Sequence, residues 1–267
     1  MSLLVAGYWS VATAQVEDAE VPILDDFLGR IDFWSPELSP SGQYVSGVRR
    51  DGEESYLVIV DLDSDDPNPQ FKRMGDVYLN WVEWVTDERL LLSVTGYINY
   101  RTGKQMSRED LQTIGHGEIP VPFTRIISMD RNGGNTAVMF GDSRSMNRNF
   151  SLGNVVSFLP QDPDYILMAA RRGGDLDLFR LNVLDGTFER IAQGTDNTYA
   201  WYVDREGEPA FRFNINSRGT IIYIFAREDR ANGKIKWRKI KTIRLKRNKK
   251  EESATEFDPL YAGPTET

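Results

Sequence analysis

One pattern returns along this chain at intervals that constrain its architecture more than any other feature. A short apolar or aromatic lead-in meets a turn of Pro, Asp, Glu or Gly, and an apolar strand follows. It reads Phe33-Trp34-Ser35-Pro36-Glu37-Leu38-Ser39-Pro40-Ser41-Gly42-Gln43-Tyr44-Val45, then Trp81-Val82-Glu83-Trp84-Val85-Thr86-Asp87-Glu88-Arg89-Leu90. It returns at Val155-Val156-Ser157-Phe158-Leu159-Pro160-Gln161-Asp162-Pro163-Asp164-Tyr165 and at Ala200-Trp201-Tyr202-Val203-Asp204-Arg205-Glu206-Gly207. A fifth copy opens at Phe257-Asp258-Pro259-Leu260-Tyr261. With Pro40, Thr86, Pro160 and Asp204 as equivalent points, the steps are 46, 74 and 44 residues. Two of these match the ~40–50-residue period of propeller blades, small sheets that cannot bury both faces alone. The long step implies an insertion over about residues 96–123, between two strands of the second unit.

Inside each unit the strands repeat as well. Tyr56-Leu57-Val58-Ile59-Val60-Asp61, Arg125-Ile126-Ile127-Ser128-Met129-Asp130 and Leu178-Phe179-Arg180-Leu181-Asn182-Val183 each lead into a polar turn. Gly133-Gly134 and Asp185-Gly186 supply hairpin chemistry, because Gly accepts a positive φ without steric cost. Final strands are expected at Thr136-Ala137-Val138-Met139-Phe140 and Phe188-Glu189-Arg190-Ile191-Ala192. Several strands are apolar almost without a break, Ile221-Ile222-Tyr223-Ile224-Phe225 above all. A sheet with one wet face would alternate, so continuous runs predict sheets stacked between two neighbours. The best helical segment, residues 107–114, falls inside the insertion. The expected fold is all-β: a partial β-propeller of about four blades plus the start of a fifth, spanning residues 15–267.

Composition narrows the functional classes. The 267 residues are 40% hydrophobic, ample for a core, and carry a formal net charge of −8. That balance argues against nucleic acid as the main partner. With no cysteine, disulfides, thiolate zinc sites and Cys nucleophiles are excluded. No run reaches the ~18 apolar residues of a membrane span. Residues 1–14 read as the remnant of a signal peptide, apolar over 3–11 and closing on Ala12-Thr13-Ala14, although no basic residue precedes Arg30. Periplasmic or secreted location is the corresponding expectation, and cytoplasmic if that segment is not a signal.

The units resemble the N-terminal propeller of bacterial prolyl oligopeptidase family serine peptidases, the acylaminoacyl- and dipeptidyl-peptidase-like members. The resemblance rests on Leu38-Ser39-Pro40-Ser41-Gly42-Gln43-Tyr44-Val45 followed by Tyr56-Leu57-Val58-Ile59-Val60-Asp61-Leu62, on Asn80-Trp81-Val82-Glu83-Trp84, on Leu159-Pro160-Gln161-Asp162-Pro163-Asp164-Tyr165 and on Trp201-Tyr202-Val203-Asp204. It covers about residues 30–267. It implies a propeller that gates peptide access to an α/β-hydrolase domain. That domain, or another protein, would be the partner, with peptides as the ligands of the parent enzyme. Family members carry about seven blades before the hydrolase domain, so no catalytic residue transfers to this chain. The rival readings are a standalone, TolB-like interaction scaffold and an inactive truncated product. An open arc of blades also predicts self-association.

Direct tests for chemistry agree with a non-catalytic module. A hydrolase of that family needs Gly-x-Ser-x-Gly on a strand-to-helix turn. The nearest approach, Gly141-Asp142-Ser143-Arg144-Ser145, lacks the closing Gly and reads as a strand-exit loop. The single histidine, His116 in Gly115-His116-Gly117, reads as a solvated loop residue rather than a base. Asp61-Leu62-Asp63-Ser64-Asp65-Asp66 lacks the Gly and Glu of a calcium loop and reads as an acidic hairpin, as does Asp175-Leu176-Asp177. Residues 236–250 hold nine Lys and Arg and read as an exposed strand and loop. No catalytic, metal or cofactor-binding residue is assigned.

Overall fold

The computed structural model describes residues 33–64, 68–115, 118–146, 149–229 and 235–245. They form four sheets in chain order. The first is a meander of β1 (Phe33–Leu38), β2 (Tyr44–Asp51), β3 (Glu54–Asp61) and β4 (Gln70–Arg73). The second holds β5 (Tyr78–Thr86), β6 (Arg89–Asn99), β7 (Gln105–Met106), β8 (Pro120–Asp130), β9 (Ala137–Val138) and β10 (Ser151–Leu152). The third is β11 (Val155–Ser157), β12 (Tyr165–Arg172), β13 (Asp175–Asn182) and β14 (Phe188–Ala192). The fourth is β15 (Thr198–Val203), β16 (Pro209–Ile215), β17 (Ile221–Asp229) and β18 (Ile235–Arg244). Pairing is antiparallel throughout, except where β10 runs parallel to β8 for two residues. The fold is all-β and matches a four-bladed partial propeller. The signal-like segment, the fifth unit at Phe257, His116 and residues 246–250 lie outside the described residues.

Why the strands are continuously apolar becomes visible in the packing. Consecutive side chains of a strand point to opposite faces, so a strand buried on both sides feeds two cores at once. Leu90, Leu92 and Val94 enter the core shared with the first sheet, with Val48, Leu57 and Ile59. Leu91, between two of them, enters the core shared with the third sheet. In β12, Ile166, Met168 and Ala170 face the second sheet while Leu167 and Ala169 face the fourth. Each fully buried Leu contributes roughly 1.5–3 kcal/mol relative to exposure. At two junctions neighbouring sheets meet through a first strand, β5 against β1, β2 and β3, and β15 against β11 and β13, while the second and third sheets meet where β10 lies against β12.

Three buried side chains add directional bonds across these apolar junctions. Trp84 Nε1 donates to Glu37 O at 3.1 Å, from second sheet to first. Arg89 Nη2 donates to Val183 O at 2.8 Å, from second sheet to third, while its Nη1 meets Asp130 at 2.6 Å. Trp201 Nε1 donates to Leu176 O at 2.8 Å, from fourth sheet to third. Close approach also fixes Gly47, where a Cβ would stand 2.2 Å from the Phe33 ring.

Two local expectations need correction or refinement. The final strand expected over residues 136–140 is reduced to β9, two residues, and β10 ends the sheet instead. Met139 still donates its N–H to Ile126 O, but Phe140 adopts φ 63° and turns into the core. There its ring meets Phe179 and Phe188 edge-on, at centroid distances of 5.3 and 4.8 Å. Burying that ring wins over extending an edge strand. The insertion is partly a continuation of the sheet, since β6 and β8 stay paired from Gly96↔Phe123 to Asn99↔Pro120. Beyond that lie β7 and the one-turn helix α1 (Arg108–Gln112), capped by Ser107 and Asp110 as a capping box.

Candidate functional site

Two groups of polar and aromatic side chains stand on the first strands, one on β1 and β5 and one on β11 and β15. Glu37 on β1 and Glu83 on β5 lie near one another. Burial, and then the Glu37 charge, hold the Glu83 carboxyl above the usual glutamate range. Between β11 and β15 a cavity of about 270 Å³ is lined by Asn154, Val155, Val156, Trp201 and Tyr202. Tyr199 and Tyr202 are partly exposed on β15, with Phe213 against both rings.

Ser143 sits in a turn, not on an elbow. Its N–H donates to Phe140 O, and its Oγ pairs with Ser145 Oγ at 3.0 Å. No helix follows among the described residues, and Met146 enters the core three residues later. Asp61 organises its own hairpin, accepting from the Asp63 N–H at 3.1 Å, and Asp65 and Asp66 lie outside the described residues. No cluster of three potential metal ligands occurs among the described residues.

The reading of Asp175-Leu176-Asp177 as a solvated hairpin fails at Asp177, which is 1% exposed. Its carboxylate accepts from the Gly194 N–H at 2.9 Å and from Arg190 Nη1 at 3.0 Å, tying β13 to the chain beyond β14. It is a structural acid, consistent with its position on a strand buried on both faces. The basic run is an exposed strand as expected over its described part, β18.

Two arginines went unrecognised in the sequence. Arg89 opens β6 directly after the Asp87-Glu88 turn, a position that reads as solvent-facing until the third sheet is in place. Arg212 was detectable as a charge inside the apolar alternation Phe211-Arg212-Phe213. Its guanidinium lies over the Phe225 and Trp237 rings, 5.0 and 5.3 Å from their centroids. Burial holds its pKa below the usual arginine value.

No family model and no curated relative matches the chain. Solved structures similar to it include a protein assigned as a 6-phosphogluconolactonase from Bacteroides uniformis, 12% identical, covering 80% of this chain and 55% of its own, at a TM-score of 0.37. An acylaminoacyl peptidase in complex with Z-Gly-Gly-Phe-chloromethyl ketone is 14% identical, covering 74% of this chain and 36% of its own, with a TM-score of 0.37. A protein assigned as a dipeptidyl aminopeptidase IV from Bacteroides ovatus is 9% identical, covering 81% and 34%, with a TM-score of 0.34. The chain thus spans about half the length of the first of these and about a third of the two peptidases.

Proposed function

We propose that this chain is a non-catalytic, propeller-type recognition module, the part that in prolyl oligopeptidase-like serine peptidases restricts which peptides reach the hydrolase domain. The supporting observation is the chain-ordered series of four sheets, with the family-like segments at the turn between the first two strands of each unit. Peptide would run along the first-strand edge, past Glu37 and Glu83 and the Tyr199–Tyr202 surface. Hydrolysis would belong to a separate α/β-hydrolase domain, and the pair would work in the periplasm or outside the cell. Self-association of the chain alone belongs to the same proposal, through outer sheet faces such as that carrying half-exposed Phe71. A second reading, an interaction scaffold without any hydrolase, is favoured by the long exposed edge of the fourth sheet.

A serine-directed fluorophosphonate probe and aminoacyl and dipeptidyl chromogenic substrates test the assignment. The purified chain is expected to take no label and turn over no substrate, while unstructured peptides bind and Tyr202→Ala weakens them several-fold. Turnover abolished by Ser143→Ala would make the chain an enzyme and end this reading.

A further inference from the structure

The fourth sheet ends differently from the other three. Their outermost or nearly outermost strands β4, β9 and β14 have four, two and five residues, whereas β18 has ten and is the last strand of its sheet among the described residues. Apart from half-buried Trp237 and Ile243, every residue of β18 is exposed. It carries Lys236, Arg238, Lys239, Lys241 and Arg244 in a protein whose net charge is −8. Glu228 stands 4.0 Å from Lys236 Nζ and 3.8 Å from Arg238 Nε, and Lys239 lies over the Tyr223 ring.

Beside the first residues of β18 opens a cavity of about 400 Å³, lined by Ile191, Gln193, Arg212, Ile235 and Trp237 among others. The Arg212 guanidinium borders it, stacked between two rings. Its Nη1 makes one long bond to Gln193 O at 3.4 Å, and its Nε is buried without a hydrogen-bond partner. A buried, unpaired guanidinium nitrogen is costly, and an acceptor arriving in the cavity would relieve that cost.

We propose that β18 and this cavity form a docking edge for an acidic, extended protein segment, which adds to the fourth sheet as a further strand. Lysines along an edge discourage pairing with like edges, and the same charges select a strand of opposite sign. Backbone bonding supplies the generic attraction, and the alternating cations supply the choice. The cavity takes one carboxylate-bearing side chain against Arg212 and Trp237. A nucleic acid fits less well: it has no backbone to complete the ladder, and the protein's overall charge repels it. This edge stands on the opposite side of the sheet from the first-strand surface, so it does not depend on the proposed peptidase role.

Fluorescence anisotropy on the full chain tests it with an octapeptide of alternating Glu and Thr, its N-methylated counterpart and a single-stranded oligonucleotide. The Glu/Thr peptide is expected to bind, at least tenfold more tightly than the N-methylated form, and to weaken at least tenfold with the exposed double variant Lys239→Glu/Arg244→Glu. Arg212→Gln should also weaken it, with circular dichroism verifying that both variants keep their strands. Equal binding of the N-methylated peptide would reduce β18 to a charged patch and overturn the strand addition. Tighter binding of the oligonucleotide, or no binding of the Glu/Thr peptide at millimolar concentration, would overturn the proposal entirely.

Discussion

The third and fourth sheets have comparable amounts of apolar sequence and bury it very differently. In β12, five consecutive residues from Ile166 to Ala170 are buried; in β17, the uninterrupted run from Ile221 to Phe225 has only Ile224 buried. The third sheet is covered by the second on one side and the fourth on the other, through separate cores. The fourth meets the third through Trp201 and Trp237, and Phe213 and Ile224 are buried on the face turned away from it, outside all three clusters. An apolar run therefore records what a strand can tolerate on both faces. What it actually buries depends on what is stacked there.

The widest gap should appear on deleting an aromatic ring from each sheet. Phe179→Ala removes a fully buried ring packed against Phe140 and Phe188, and is expected to cost about 3–5 kcal/mol. Half-buried Phe225→Ala should cost only about 1–2 kcal/mol. Denaturant unfolding measures both, and equal losses would break the contrast between the sheets. Next come the carboxylates. Asp177→Asn leaves Arg190 and the Gly194 N–H with a poorer acceptor inside the third sheet, an expected loss of about 1–3 kcal/mol. Glu208→Gln loosens the exposed Arg227 pair of the fourth sheet and should stay within about 0.5 kcal/mol.

The smallest effect is a pH dependence in the other inner sheet, the second. Because burial and Glu37 raise the Glu83 pKa, its ionised form opposes folding at neutral pH, and that opposition is relieved as pH falls through the folded-state value. Glu83→Gln should slightly raise the thermal midpoint at pH 7, with the gain gone by about pH 4, where ordinary glutamates protonate too. Glu208→Gln on the fourth sheet should give no such gain at either pH. A gain at both pH values for Glu83→Gln would point to packing rather than charge.

Most of the fold was legible because each unit carries its own turn chemistry and its own strand lengths. Phe188–Ala192 is β14 to the residue, and Gly133 and Gly186 take the positive φ their hairpins require. The short β9 was not legible, since Met139 and Phe140 have strand-forming side chains and leave the sheet only because the third sheet offers a core for them. Asp177 failed for the same reason: an Asp after a Gly-Gly turn looks solvated until the strand's other neighbours are counted. Of the candidate surface, the basic strand was visible as a charge run. The cavity beside it was not, because Ile191, Arg212 and Trp237 come from three strands in two sheets.

The bonds from Trp84, Arg89 and Trp201 carry a consequence for how such a chain can change. An oily interface fixes how much surface is hidden but leaves two sheets free to slide and rotate over one another. A single donor reaching one particular carbonyl stops that motion, much as a pin indexes one gear tooth against the next. Each pin spans one junction and refers to nothing further along, so the angle of every joint is set locally. A duplicated or deleted unit then disturbs its two immediate joints and leaves the remaining geometry intact. Architecture of this kind can gain or lose members by tandem copying, with the curvature of the whole rebuilt one joint at a time.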